Sequence, residues 1–369
     1  MKAIIEFAKR ETVLVISFLA AMLSMCFVKP DKGYLEYIDM RTIGLLFSLM
    51  AVIAGFSQMG IIRRLAEIIV KKMKNTRALV ITLWSMCFIS SMLITNDVSL
   101  ITFVPLAIAV LNMCGKKELI IYTVVLQTVA ANLGSMLTPM GNPQNLYIYN
   151  YFNVDIWEFL GITIPVIILS FILLMLSSFV VKGENINVHI ENIDIKGSLL
   201  KRNVYICLGI LCIMSVVKIV DYRITVFIAA IYIIIFDRKV IFKIDWFLLL
   251  TFCMFFVFTG NIGRIYHIRN FMENFLTGRE FFTALLGSQI ISNVPAAVML
   301  SGFTDNYREL ILGTDVGGLG TLIASLASLI SFKLYSLTEG AEKGRYLMVF
   351  TAVNIIFLII IVLFCNILK

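Results

Sequence analysis

Long apolar runs constrain this chain more than any other feature of its sequence. The longest cover residues 156–181 and 346–368, and a helix needs about 20 apolar residues to cross a bilayer. Hydrocarbon offers no hydrogen-bonding partners, so a chain embedded in it forms helices or a closed barrel. Hydrophobic residues make up 60% of the 369 and charged residues only 15%, which is too apolar for a soluble domain. We therefore predict an all-α polytopic membrane protein.

The basic residues between the apolar runs predict the topology. Lys and Arg cluster in 59–77, 116–117, 182–202, 238–243 and 343–345, on one side of the predicted crossings. Short loops rich in Lys and Arg stay in the cytoplasm, which predicts a cytoplasmic N-terminus for a protein of the cell membrane. We predict nine crossings, at 12–28, 42–58, 118–149, 156–181, 203–220, 223–236, 244–260, 307–336 and 346–366, and two re-entrant hairpins, at 78–113 and 281–304.

Two of these crossings contain helix-breaking residues. Residues 134–145 read "GSMLTPMGNPQN", and residues 313–320 read "GTDVGGLG". Helix breakers are tolerated at membrane depth only where neighbouring groups satisfy the backbone or where the backbone faces a cavity. We therefore predict that 118–149 and 307–336 are broken helices whose freed backbone groups face a ligand.

The two halves of the chain resemble each other. Residues 1–181 and 203–369 are predicted to be two membrane repeats joined by the polar cytoplasmic linker 182–202. "LGSMLTPMGNPQNLYIY" (133–149) overlays "LGTLIASLASLISFKLY" (319–335), and "MLITND" (92–97) overlays "QIISNV" (289–294). Crossing parity gives the two hairpins opposite orientations, as in an inverted repeat. Secondary transporters bind substrates and coupling ions at the midplane between such repeats.

The hairpin tips and the "GSMLTPMGNPQN" segment resemble the ion transporter superfamily, which includes divalent-anion/sodium symporters, citrate transporters and arsenite permeases. The resemblance covers most of the chain. In the dicarboxylate symporters each tip carries Ser-Asn-Thr, and the tips help to form paired sodium and carboxylate sites. Here the tips are Thr95-Asn96-Asp97 and Ser292-Asn293-Val294. The changed third positions disfavour dicarboxylate chemistry and bring the chain closer to the arsenite-permease branch. The resemblance implies an alternating-access carrier of the elevator or rocking type.

Asp97 is the most informative candidate residue. A carboxylate at bilayer-centre depth costs roughly 2.5–3.5 kcal/mol on insertion scales, so it faces a cavity or a partner. Because Asp97 would repel an anion, we predict that it holds Na⁺ or a proton. The alternative is that it caps the second hairpin arm. Oxygen ligands suit hard cations, and the predicted Na⁺ site consists of Thr95, Asn96, Asp97 and Asn142. No other metal and no cofactor is predicted.

Small and polar residues at the tips and breaks form the predicted substrate and ion site. Asparagine can offer an oxygen to a cation or an N–H to an anion, whereas helix packing is the ordinary alternative. The site residues are Thr95, Asn96, Asp97, Ser135, Thr138, Gly141, Asn142, Asn145, Ser292, Asn293, Gly318, Gly320, Thr321 and Ser325. Asp315 is predicted to be either a second coupling carboxylate or a residue of the outer rim. Lys333 is predicted either to neutralise an anion or to snorkel to the cytoplasmic face.

These features predict a secondary active transporter that moves an inorganic or carboxylate anion by alternating access, coupled to Na⁺ or H⁺. A cation/proton antiporter on the same scaffold and a non-transporting receptor or scaffold are the alternatives. No ATP-binding, metalloprotease or serine-hydrolase motif is present, so we predict no enzyme activity. The net charge of +8 follows from the topology and does not indicate nucleic-acid binding. The expected partners are a small anionic substrate and the lipid bilayer, and a homodimer is left open.

Overall fold

The computed structural model describes residues 11–186 and 199–367, without the side chains at 61–63 and 65. The described part consists of α-helices joined by turns and short 3₁₀ segments. The first-half helices are α1 (Thr12–Met25), α2 (Tyr34–Tyr37), α3 (Met40–Met59), α4 (Ile61–Val70), α5 (Thr76–Ser91), α6 (Asn96–Met113), α7 (Ile120–Gly134), α8 (Pro143–Tyr151) and α9 (Ile156–Ser178). The second-half helices are α10 (Leu199–Val216), α11 (Tyr222–Phe236), α12 (Trp246–Arg264), α13 (Tyr266–Leu276), α14 (Glu280–Ile291), α15 (Asn293–Ser301), α16 (Tyr307–Val316), α17 (Leu326–Ser336) and α18 (Lys343–Ile367).

Seven helices of the described part are long and apolar enough to cross a membrane. They are α3, α6, α7 with its flanking 3₁₀ turns, α9, α10, α12 and α18. Helices α1, α5, α11 and α14 are also apolar but shorter. These spans confirm the predicted all-α polytopic class, and the chain is an integral membrane protein.

Most of the helices pack in two groups. In the flanking group, which comprises α1, α3 and α10–α12, α1 packs on α12, and α10 and α11 pack on α3. In the site group, which comprises α5–α8 and α14–α17, α5 packs on α7, α6 on α17, α14 on α16 and α15 on α8. Contacts of α8 with α3 and of α15 with α12 join the two groups.

Helices α5 and α6 form the first predicted hairpin. At its tip the Ser99 hydroxyl donates to the carbonyl of Cys87 at 3.2 Å. At its open end, the backbone N–H of Thr76 donates to the carbonyl of Glu184 at 2.9 Å, and Lys116 pairs with the Glu184 carboxylate. Both ends of segment 76–116 therefore lie on the same side of the molecule. Re-entry of this hairpin into a bilayer stays a prediction.

The two broken helices run in opposite directions. Lys117, just before α7, borders the same cavity as Tyr335 near the end of α17. Phe152, just after α8, packs against Tyr307 at the start of α16 with ring centroids 5.8 Å apart. The α7–α8 pair thus crosses from the side of the first hairpin's open end to the other side, and α16–α17 crosses back. This opposite sense is expected of an inverted repeat, and the assignment of one side to the cytoplasm stays a prediction.

One predicted boundary of the linker is wrong, and the predicted broken crossing 307–336 is seen as two helices. The predicted crossing 203–220 is α10, which begins at Leu199, so the last four residues of the predicted linker 182–202 are helical. The basic residues extended the predicted linker too far, because Lys201 lies within the helix and pairs with the carboxylate of Asp237 at 2.7 Å. The predicted crossing 307–336 consists of α16 and α17, of ten and eleven residues. Residues 187–198 of the linker and the predicted cytoplasmic residues 1–10 lie outside the described residues.

Candidate functional site

The tip of the first hairpin lies against the first break. The backbone N–H of Asn96 donates to the carbonyl of Gly141 at 3.1 Å, and the Thr138 hydroxyl donates to the carbonyl of Met92. Gly141 allows this contact because a Cβ at that position would lie 2.8 Å from the carbonyl oxygen of Ser91, at the end of α5. The tip and the break therefore form one compact unit.

Asn142 starts the second part of the first broken helix. Its side-chain oxygen accepts the backbone N–H of Asn145 at 2.9 Å as an N-cap, and Pro143 at the first helical position is pre-set for a helix. The Asn142 amide nitrogen donates to the Ser135 hydroxyl at 3.2 Å. Because its oxygen already caps α8 and its nitrogen points into the site, we do not retain Asn142 as a Na⁺ ligand.

The tip of the second hairpin lies against the second break in the same way. The Ser292 hydroxyl donates to the carbonyl of Ala324 at 3.4 Å, and Asn293 lies 3.0 Å from where a Cβ on Gly318 would be. Ser292 has φ +74° and ψ 155°, a region that is essentially restricted to glycine and strained for serine. Strain of this kind persists only where the surrounding structure imposes it, and it often marks a functional site.

Gln289 closes the second break. Its amide nitrogen donates to the carbonyls of Gly317 at 2.7 Å and Leu319 at 2.8 Å. Its oxygen accepts the backbone N–H of Thr321 at 2.9 Å. Gly320 has φ +106°, and a Cβ there would lie 2.4 Å from the Gln289 oxygen. Glycine is therefore required at position 320, because a side chain would be strained at this φ and would collide with Gln289.

Asn132, near the end of α7, links the two breaks. Its side-chain oxygen accepts the Ser325 hydroxyl at 3.0 Å and the Asn96 amide at 3.3 Å. Its nitrogen donates to the Ser328 hydroxyl at 3.2 Å and reaches the carbonyl of Gly318 at 3.4 Å. One side chain of the first half thus joins the first tip to the second break.

Asp315, near the end of α16, makes the reciprocal link, in which a side chain of the second half bonds to the first break. Its carboxylate accepts the amide N–H groups of Asn142 at 3.0 Å, Gln144 at 3.3 Å and Asn145 at 2.8 Å. All four side chains are buried, and Asp315 is 2% exposed. Buried polar groups must be hydrogen-bonded to be tolerated, and here each half satisfies a group of the other. Asp315 therefore lies at the centre of the site, and its predicted alternative position at the outer rim is wrong.

The structure corrects the register of the two breaks. The N-caps Asn142 and Ser325 are 183 residues apart, whereas the sequence overlay used an offset of 186. The corrected offset pairs Asn132 with Asp315. It also pairs Gly134, where a Cβ would lie 2.6 Å from the Ser91 hydroxyl, with Gly317, where it would lie 2.8 Å from that of Ser288. The sequence overlay was wrong because it aligned identical residue types. The helices after the two breaks begin after different residue types, Asn142 in the first half and Ser325 in the second.

Asp97 lies beside this cluster, in a cavity of about 320 Å³ between α3, α6 and the start of α12. The polar and charged residues that line it are Ser57, Thr95, Asp97, Lys243 and Asp245. Thr95 is the N-cap residue of α6 and its side chain makes no capping bond, whereas the Asn96 side-chain oxygen accepts the backbone N–H of Asp97 at 2.9 Å. The alternative role of Asp97 as a helix cap is therefore not seen.

The predicted site residues separate into two places. The tip-and-break contacts bring together Asn96, Ser135, Thr138, Gly141, Asn142, Asn145, Ser292, Asn293, Gly318, Gly320, Thr321 and Ser325, whereas Thr95 and Asp97 line the cavity. Lys333 is exposed on α17 and takes no part in these contacts. The prediction missed Asn132, Gln144 and Gln289. The 183-residue offset would have singled out Asn132 as the counterpart of Asp315.

The sequence matches the family model for citrate transporters over residues 3–306. The chain belongs to the citrate transporter family. This membership confirms the resemblance that the tips and breaks indicated, and it establishes transport across a membrane as the class of function.

Three relatives show how far the similarity to known proteins extends. An uncharacterized transporter of Methanocaldococcus jannaschii is 33% identical over 351 residues, which is 94% of each chain. The inner membrane protein YbiR of Escherichia coli is 28% identical over 312 residues, 82% of each chain. The silicon efflux transporter LSI3 of Oryza sativa is 33% identical over 137 residues, 36% of this chain and 27% of the plant protein.

Proposed function

We propose that this citrate transporter family member is a secondary active carrier of a small inorganic or carboxylate anion, driven by a Na⁺ or H⁺ gradient. The observation that supports this most is the meeting of four helix N-termini. Helices α6, α8, α15 and α17 all begin at the tips and breaks, at the N-caps Thr95, Asn142, Ser292 and Ser325. Helix N-termini present free N–H groups and a positive dipole end to an anion.

Neutral donors supply the remaining recognition chemistry. The described contacts between the breaks involve amides, hydroxyls and one carboxylate, and no Lys or Arg takes part in them. A site of this kind selects an anion by hydrogen-bond geometry rather than by a fixed positive charge. Secondary transporters place half-helix N-termini against anionic substrates in this manner.

The names of the family and of one relative suggest which anions to test. The matching family model is described as that of citrate transporters, and the rice relative is named a silicon efflux transporter. Citrate and silicic acid are both oxygen-rich weak acids. We therefore propose a substrate of this kind, presenting several oxygen atoms to the N–H groups of the site.

Alternating access is proposed as movement of the site group against the flanking group. The cavity beside Asp97 lies between these groups, because Met50 and Ile53 belong to α3 whereas Val98 and Ile101 belong to α6. It reaches Pro143 at the first break, so it provides a route to the site. Lys243, which borders it, lies in a loop predicted to be cytoplasmic.

A cation/proton antiporter is the second candidate function. Asp97 and Asp245 both line the cavity, and two carboxylates in an entrance attract cations and repel anions. Lys243 is the one positively charged residue in the described lining of this cavity. This charge distribution favours cation entry by the cavity route.

Uptake into proteoliposomes tests the proposal. Purified protein is reconstituted and given citrate, succinate, phosphate, silicate or arsenite under an imposed Na⁺ or pH gradient. We expect accumulation of at least one anion, and loss of accumulation in Asn293→Ala but not in Asn274→Ala, an exposed asparagine on α13. Absence of anion transport by monodisperse wild-type protein would contradict the proposal. Dissipation of a pH gradient by Na⁺ or K⁺ without anion movement would instead establish the antiporter.

A further inference from the structure

We infer, on the basis of the carrier function proposed above, that Asp315 binds the coupling proton and that its protonation loosens the link between the two breaks. Among the described contacts between the two breaks, the carboxylate is the only group that can change its charge. Its counterpart Asn132 makes similar links to Ser325 and Ser328 but cannot titrate. The two halves thus make equivalent contacts with each other, and the contact made by the second half contains a group that can be protonated.

The carboxylate has a lone-pair position that no described residue fills. One of its oxygens accepts two N–H groups, from Asn142 and Gln144, and the other accepts one, from Asn145. A carboxylate offers about four lone-pair positions, so one position remains on the oxygen that faces Asn145. A proton can bind there while the N–H groups of Asn142 and Gln144 stay on the other oxygen.

No positive charge neutralises Asp315 within the described residues. The charged side chains of α16 and of the helices packed against it are Glu158, Glu280, Arg308, Glu309, Lys343 and Arg345. None forms a hydrogen bond or ion pair with Asp315, since its described partners are the three amides. The Tyr147 hydroxyl on α8 is paired with Ser301 at 2.6 Å. Burial without a counter-ion opposes the charged form, whereas the three N–H donors favour it.

The direction of the amides favours a proton over Na⁺. A metal cation needs a shell of oxygen ligands, but Asn142, Gln144 and Asn145 turn their nitrogen atoms toward the carboxylate. The Asn145 side-chain oxygen is buried and accepts no hydrogen bond from the described residues. Rotation of this amide by half a turn would let it accept the O–H of a protonated Asp315. The proton then lies between the carboxyl oxygen and the Asn145 oxygen, and no other atom is gained or lost.

Protonation would therefore change the strength of the contact between the halves. Hydrogen bonds to an ionised acceptor are roughly twice as strong as neutral ones. The charged state holds the first break against the second through three such bonds. The neutral state retains weaker bonds and imposes no repulsion on an anion bound nearby. Anion binding and proton binding would then favour each other, which is the requirement for H⁺-driven accumulation.

Infrared spectroscopy of the purified full-length protein tests the proton site without a substrate. In a pH titration above about pH 6, where exposed carboxyl groups are ionised, we expect the carbonyl band of a protonated, buried carboxylic acid in wild-type protein and its loss in Asp315→Asn. The control is Asp221→Asn, at an exposed N-cap of α11 where asparagine caps as well as aspartate; this variant should retain the band. If Asp315→Asn is not monodisperse, Asp315→Glu replaces it, and the band should shift rather than vanish. Equal bands in wild type and Asp315→Asn, or loss of the band on adding NaCl at constant pH, would overturn the inference.

Transport by the same variants tests the coupling. We expect Asp315→Asn to lose the dependence of uptake on an imposed pH gradient, measured as the ratio of uptake with and without the gradient for the anion identified in the uptake screen. Asn132→Asp combined with Asp315→Asn moves the carboxylate to the equivalent position and should restore part of the pH dependence. Full pH-driven accumulation by Asp315→Asn would overturn the coupling role. If wild-type protein transports no anion but shows the titrating band, the carrier function fails while the proton site stands.

Discussion

At the scale of single residues, the two acidic side chains Asp97 and Asp315 have different surroundings. Asp97 lines a cavity with Asp245 and Lys243, whereas Asp315 is enclosed by three amide donors. Water or a mobile ion can reach the former, but the latter depends on protein groups alone. Asp97, the most informative residue of the sequence analysis, therefore lies in the cavity beside the tips and breaks, and Asp315 lies between the two breaks.

Replacement of Asp97 tests its role at the entrance. Asp97→Asn retains the shape of the side chain and removes its charge. We expect a slower initial rate of gradient-driven uptake, because cations are concentrated less in the cavity, but an unchanged final accumulation ratio. Flux measurements over time separate the two quantities. Loss of accumulation with retained exchange would show instead that Asp97 is the coupling group, as the sequence predicted.

The bonds of Asn145 and Ser328 form a matched pair, because the two residues are equivalent at the 183-residue offset. Asn145→Ala removes a donor to a buried carboxylate, and hydrogen bonds to charged groups contribute about 1.5–3 kcal/mol. Ser328→Ala removes a neutral bond, and interhelical bonds in membranes average about 0.6 kcal/mol. Thermal unfolding in detergent should therefore show the larger loss of stability for Asn145→Ala. Equal losses would mean that Asp315 is neutral under the conditions of the measurement.

At the scale of elements, each hairpin holds the break of its own half. The first tip bonds to Gly141 and Thr138, and the second tip bonds to Ala324. Short helices such as α8, α15, α16 and α17 are marginal by themselves, since nucleation of a helix is costly. Tertiary contacts at the tips and breaks therefore maintain these short helices.

Cysteine labelling tests the orientation of the first hairpin. With the seven native cysteines replaced, Lys74→Cys and Lys117→Cys occupy exposed positions beside its two ends. Both should react with a membrane-impermeant thiol reagent from the cytoplasmic side only. Asp305→Cys, exposed before α16, should react from the opposite side. Reaction of positions 74 and 117 from opposite faces would exclude a hairpin that re-enters on one side.

At the scale of the whole molecule, the contacts define which parts can move together. The two halves are joined through the breaks, for example by the Thr128 and Ser331 hydroxyls at 2.7 Å. The site group and the flanking group are joined by fewer polar contacts, one of which is the donation from Asn150 to Thr42 at 3.2 Å. This arrangement favours movement of the site group as one body over rocking of one half against the other.

Crosslinking distinguishes these two movements. A short thiol crosslink between Thr128→Cys and Ser331→Cys joins the halves, and we expect transport to continue because both positions lie in the moving body. A crosslink between Thr42→Cys and Asn150→Cys joins the two groups and should stop transport until a reductant releases it. The measurement is anion flux before and after crosslinking with a reducible reagent. Loss of flux with the first pair alone would indicate rocking halves.

The sequence by itself determined the class of protein and the location of its special segments. Apolar length predicts helices in lipid because no other open structure satisfies the backbone there, and Gly, Pro and Asn at 134–145 predict a break for the same reason. These arguments depend on local composition, so they located the tips and breaks, where most of the predicted site residues meet; their role in binding stays a prediction. The charge pattern was less reliable for boundaries, as the start of α10 shows.

Only the tertiary structure decided which side chains meet. Asn132 and Asp315 are 183 residues apart in the chain. Asp315 lies in the segment 313–320 and Asn132 precedes the segment 134–145, but neither segment shows what its residue bonds to. Their roles follow from the crossing of α7 and α16 within one buried layer, where each satisfies polar groups of the other half. Burial makes such bonds obligatory, but the sequence does not show which residues are buried together. The partners of a buried carboxylate therefore become visible only when the two halves are packed.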